Sequence, residues 1–251
     1  MKTSFIVTGS CAVTLAVLAC GEPQQKNFGG IDPGTEPTGS CEQNPKGDCY
    51  PRDDLGTNPR QGKTAGQRIR NLGFFGYKNL TPSTKTDPSA EPQRISLAEF
   101  YDPTGTEFKL IHIVGASNWC GPCNYETELI ASGLAEEWAP RGVVFLEALI
   151  DGPKAGVGAT TEVLKQWIQG PRYDDNGRMY TTPLNFTVML DPDHNALGPF
   201  FRANSVPFNL DIDARSMEIL TASQGSPPDI VAHLEKWLDW TATNPAKPTE
   251  Q

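Results

Sequence analysis

Trp119-Cys120-Gly121-Pro122-Cys123 decides how this chain reads. The two cysteines follow the apolar run Leu110–Val114 and precede a segment in which Leu129, Ile130, Leu134 and Trp138 recur at helical spacing. The pair therefore sits where a buried strand turns into an amphipathic helix. Free N–H groups and the positive end of the helix dipole gather at such a start, and both favour a thiolate over a thiol. Comparable sites pull a cysteine from a free value of about 8.5 to roughly 3.5–7.5. Cys120, at the mouth of the helix, is the expected nucleophile. Cys123, on the same helical face and less exposed, is the expected resolving thiol. Pro122 suits the first helical turn because it has no N–H to leave unpaired. Gly121-Pro122 also keeps bulk away from the sulfur that a partner must reach.

Two plainer readings compete. A structural zinc site needs two more Cys or His ligands at suitable spacing, and the chain has no second pair of this kind. An inert disulfide does not account for the strand-to-helix setting. A redox-active dithiol does, with no metal and no cofactor.

Trp-Cys-Gly-Pro-Cys after a strand is the signature of the thioredoxin superfamily. From about Gly66 to Trp240 the chain resembles its extracytoplasmic branch, the TlpA/ResA-like thiol-disulfide oxidoreductases. Glu126, the Asn185–Asp191 strand and turn, and Val206-Pro207 before an apolar strand carry the resemblance further, in the family's order. It implies an α/β fold, a thioredoxin-like sandwich whose central mixed sheet is flanked by helices and extended by an N-terminal hairpin. The residues agree. Gln67–Leu80 and Arg94–Phe100 read as the hairpin region, and Val143–Ile150 as a central strand buried on both faces. Thr161–Gln169 reads as a helix, Asn185–Leu190 and Phe208–Ile212 as strands, and Met217–Thr221 as an edge strand. Pro228–Trp240 reads as a closing helix with Ile230, Val231, Leu234, Trp237 and Leu238 on its core face.

By the same resemblance Pro207 is a cis-proline facing the active-site disulfide. The backbone of Val206 would then bind an extended substrate by strand addition. Phe208 stands where relatives often carry a small polar residue, which implies a more apolar groove. Trp119 is expected beside the disulfide, shaping the contact surface. Glu126 shares a helical face with Cys123 and matches a glutamate of the family; partly buried, it could accept the Cys123 proton. Val114 occupies the place where cytoplasmic thioredoxins keep a buried aspartate, which turns attention to Glu126. His112, His194 and His233 are scattered along the chain and receive no role.

A formal charge of −9 argues against nucleic acid as a partner. Residues 1–19 read as a signal peptide: Lys2, then the apolar Phe5–Ala19, which falls short of the about 20 residues a membrane span takes. Val17-Leu18-Ala19-Cys20 resembles a bacterial lipobox, making Cys20 the lipidation site. Gly21 after it lacks the inner-membrane retention signal, so the outer membrane is a possible destination. Residues 20–62 read as a lipidated tether with a Cys41–Cys49 loop disulfide, 63–241 as the thioredoxin-like domain and 242–251 as a flexible tail. The expected partners are thiols and disulfides of exported proteins, a membrane thiol transporter as electron donor, and a membrane reached through the lipid anchor.

Two rival functions share the fold. A copper chaperone would want three residues between its cysteines and a placed histidine, whereas this chain has two between Cys120 and Cys123. A peroxiredoxin-like thiol peroxidase would want Pro-x-x-x-Thr-x-x-Cys, whereas Ile113–Cys120 holds neither that Pro nor that Thr.

Overall fold

The computed structural model describes residues 41–51, 62–201 and 205–246. The export segment, Cys20 and most of the tether lie outside the described residues. Among those described, no helix is long and apolar enough to cross a membrane.

A seven-stranded mixed sheet forms the centre. In chain order its strands are β1 (Gly73–Tyr77), β2 (Gln93–Ser96), β3 (Leu110–Ser117), β4 (Val143–Asp151), β7 (Thr187–Leu190), β8 (Phe208–Asp213) and β9 (Glu218–Gln224). Across the sheet they run β2-β1-β7-β4-β3-β8-β9. β7, β4 and β3 are parallel neighbours, while β8 and β9 on one side and β1 and β2 on the other pair antiparallel. Parallel strands need crossovers, and helices supply them. α1 (Gly121–Leu129) opens the β3-to-β4 crossover; α3 (Thr161–Gln169) lies between β4 and β7. Every residue of β3 and β4 is buried, as strands covered on both faces must be.

Two apolar layers fill the two faces. One holds Cys120, Cys123, Trp138, Trp167 and Leu234; the other holds Phe74, Phe100, Met189 and Phe208. Helix caps follow ordinary chemistry: Thr160 accepts from Val163 N–H ahead of α3, and Asp229 accepts from Ala232 N–H ahead of α4 (Ile230–Thr243). After α1 the chain continues through a widened turn, Ile130–Leu134, into α2 (Ala135–Trp138).

The structure departs from the sequence reading in several places, and Val231, expected on the core face of the closing helix, is exposed. The closing helix starts after Asp229, which caps it, and ends at Thr243 rather than Trp240. The last strand runs on to Gln224 because its outer half pairs with Phe208–Asp211. A small hairpin, β5 (Arg172–Tyr173) with β6 (Met179–Tyr180), stands between α3 and β7. Its strands are too short to show alternation, so the sequence did not reveal it. The Cys41–Cys49 loop, read as the one structured part of the tether, is closed by a disulfide and docked on the domain. Tyr50 is buried with its hydroxyl donating to Ile69 O at 2.7 Å, and Asn44 Nδ2 donates to Tyr101 O at 2.8 Å.

Candidate redox site

β3 delivers the chain to the site. Cys120 N–H donates to Ser117 O at the strand's end (3.0 Å), and Cys120 then caps α1. Its sulfur accepts from Cys123 N–H at 3.2 Å, one of the orphan donors that make a helix start favour negative charge. Cys120 and Cys123 are joined as a disulfide with their Cα atoms 5.2 Å apart. Cys120 retains 3% exposure and Cys123 none, the order that attack followed by resolution requires. Asn124 fastens the turn by donating to Cys120 O at 2.7 Å.

Trp119 is 41% exposed beside the pair, with its indole N–H on Asp151 Oδ2 at 3.0 Å. The far end of β4 thus fixes the tryptophan's orientation, a tie that pattern reading did not suggest. Gly121 has a reason beyond access to sulfur. The tip of the β5–β6 hairpin lies against it, so a Cβ there would overlap the backbone nitrogen and the carboxyl group of Asp175.

The Val206–Pro207 bond is cis, and Val206 packs on the layer that contains both cysteines. Pro207 O accepts from Gly225 N–H at 2.8 Å, which ties the proline to the turn after β9. Phe208 does not line this groove. It is fully buried on the opposite face of the sheet, stacked on Phe201 with centroids 4.5 Å apart. Alternation along β8 explains the correction: Phe208, Leu210 and Ile212 all enter the opposite layer, while Asn209 and Asp211 between them face the other way.

Glu126 is buried rather than solvated. Ser226 Oγ donates to its Oε2 at 2.8 Å, and its Oε1 has no hydrogen-bond partner among the described residues. Burial pushes its carboxyl above the usual range, against the pull of His112, Ser226, Asn209 and His233. In the sheet register Val114 lies between Glu147 on β4 and Asn209 on β8. Register partners share a face, so Glu147 enters the layer beside Val114. Its carboxylate accepts from Thr127 Oγ1 at 2.7 Å and from the Trp167 indole N–H. Burial pushes its pKa up to about 7, offset in part by those donors and by Arg172.

One row further, His112 pairs with Asp211 in register. His112 Nδ1 and His233 Nε2 each lie 2.7 Å from a different oxygen of Asp211. These histidines, far apart in sequence and given no role there, converge on one carboxylate. Two imidazoles and a carboxylate are also a possible metal-ligand set. Ligands around zinc at about 2.0–2.1 Å stand roughly 3.3 Å apart, however. Contacts of 2.7 Å are hydrogen bonds. The sequence did carry a signal for both groups: His112 and Glu147 are the lone polar residues inside strands that are otherwise apolar.

No protein-family model matches the chain, and no curated protein matches it in sequence. Solved structures do match. A protein described as a thiol:disulfide interchange protein DsbE from Chlorobium tepidum aligns at 15% identity and TM-score 0.46, over 72% of this chain and 96% of that one. The fold is an α/β sandwich, a seven-stranded mixed sheet flanked by helices. The exposed lipoprotein thioredoxin Etrx1 of Streptococcus pneumoniae aligns at 18% identity and TM-score 0.42, over 66% of this chain and 98% of its own. A reduced 2-Cys peroxiredoxin of Plasmodium vivax aligns at 10% identity and TM-score 0.49, over 72% and 99%. Trp119 and the cysteines follow the end of β3, and β8 begins opposite Gly115 near that end, which brings Val206-Pro207 alongside; Glu126 lies on α1 three residues past Cys123. Cys20 lies outside the described residues, and Tyr50, next to Cys49, is buried in the layer that does not contain Cys120 and Cys123.

Proposed function

We propose that this protein is an extracytoplasmic thiol-disulfide oxidoreductase, held to a bacterial membrane by a lipid on Cys20, that reduces disulfides in exported proteins. One observation carries the reading: a Cys120–Cys123 pair caps α1 beside the Val206–Pro207 edge. In the reduced form the Cys120 thiolate attacks a client disulfide. One client sulfur bonds to Cys120, and the other leaves as a thiolate and takes a proton. Glu126 then accepts the Cys123 proton, and the Cys123 thiolate attacks Cys120 Sγ. The mixed disulfide breaks, the second client thiolate departs, and two electrons have passed to the client. A membrane dithiol donor would restore the pair.

Turnover is tested with insulin as the disulfide and dithiothreitol as the reductant. The full chain should accelerate insulin reduction, and Cys120→Ser should abolish the gain; equal rates for both would sink the proposal. Cys123→Ser should accumulate mixed disulfides that name the clients. Membrane association that survives Cys20→Ala would remove the lipid anchor from the reading.

A further inference from the structure

The Cys123 proton has to be taken inside the molecule, because Cys123 is fully buried. Glu126, three residues on, has its Cβ about 5–6 Å away on the same helical face. A buried carboxylate tends to hold its own proton, which would leave it unable to accept another. The groups around Glu126 are therefore decisive. α1 itself supplies no cation there. From β4 comes Glu147, a like charge; from the turn after β9, the Ser226 hydroxyl; from β8, the neutral Asn209. Positive charge reaches Glu126 from His112 on β3 and His233 on α4.

We infer that His112, Asp211 and His233 form a positioning device that holds an imidazolium against Glu126 from within the sheet, keeping Glu126 ionised and ready for the Cys123 proton. This rests on the oxidoreductase reading above. His112 and Asp211 are both without exposure, and His233, at 17%, closes the array toward solvent. Asp211 spends one oxygen on each imidazole, which fixes both rings. The outer edge of His112 is left open: its buried Nε2 has no hydrogen-bond partner among the described residues, and neither has Glu126 Oε1. Asn209 pairs with Val114 across β3 and β8, one row from the His112–Asp211 pair and on the same face, and it bears on both groups. Glu147 makes the contrast. Both of its oxygens are occupied, as suits a structural carboxylate. Burial pulls the His112 pKa down, but the charge and hydrogen bond of Asp211 outweigh it and leave it raised.

The test reads protonation directly and needs no client. In the unmodified full chain, ¹⁵N NMR should show both ring nitrogens of His112 protonated at neutral pH; a bare nitrogen would overturn the inference. Carboxyl ¹³C NMR should then show the Glu126 midpoint rising by about one pH unit or more in His112→Gln, since an opposite charge at this range shifts a carboxyl by roughly 1–3 units. An unmoved midpoint in a folded variant also overturns it. Should His112→Gln fail to fold, the ¹⁵N result on the unmodified chain decides alone. In turnover, the acid limb of insulin reduction should shift upward with the Glu126 midpoint. Loss of activity uniform in pH would mark a merely structural role. Failure of the oxidoreductase reading shows separately, as equal rates for wild type and Cys120→Ser.

Discussion

Single residues in this protein carry their chemistry through burial. Glu147 is the plainest case, a carboxyl in the middle of a doubly covered strand. Its pKa is pushed up to about 7, above the usual carboxylate range, chiefly because burial penalises the anion. A carboxyl raised in the native state binds its proton more tightly folded than unfolded. Its contribution to stability is therefore complete below the unfolded value and is lost as pH climbs through the native one. The expected loss is about 3 kcal/mol from pH 4 to pH 8. Urea unfolding at those two pH values should show it, and Glu147→Gln should flatten the difference. An undiminished slope in the variant would assign the effect elsewhere, to Glu126 first, since its shift has the same sign.

Among the elements, α1 is the unusual one. Its buried face is polar: Asn124, Glu126 and Thr127 are all enclosed. Each has work to do there, Asn124 bracing Cys120 O, Thr127 binding Glu147, and Glu126 meeting Ser226. The β5–β6 hairpin leans on the start of this helix. Asp174 shapes the hairpin turn by accepting from the N–H groups of Asn176 and Arg178, and Gly177 takes the positive φ of 76° that the turn requires. The tip so formed leaves no room for a side chain at Gly121. Gly121→Ala should displace the hairpin at a cost of about 1–3 kcal/mol, by analogy with overpacking. Amide exchange in residues 174–178 should speed up; unchanged protection there would show that the tip adapts without moving.

At the scale of the whole molecule, the two faces of the sheet divide the labour. One layer surrounds the redox pair, and the other receives Tyr50 and the Cys41–Cys49 loop. The loop is tied on by Tyr50, Asn44 and an ion pair between Glu42 and Arg94. Docked this way, its disulfide is expected to serve the body of the fold rather than the exchange chemistry. Cys41→Ser with Cys49→Ser should lower stability by about 2 kcal/mol, the loop-closure entropy of a short ring. Insulin turnover per folded molecule should stay the same. A fall in turnover with stability unchanged would instead make the loop a second redox pair.

Local chemistry was legible in the chain because it depends on neighbours in sequence. The cysteine pair, the helix it caps, the apolar parallel strands and the α3 helix follow from spacing and periodicity. The cis-proline edge came from a resemblance rather than from the residues themselves. What only the tertiary structure decided is everything that register and packing bring together. Strand pairing sets Glu147 beside Val114 and Asp211 beside His112, and α4 then adds His233. Alternation turns Phe208 away from the groove, and a hairpin of two short strands closes on Gly121. Those partners lie tens of residues apart. No local pattern encodes their meeting, because the sheet's register is fixed by which apolar faces are buried.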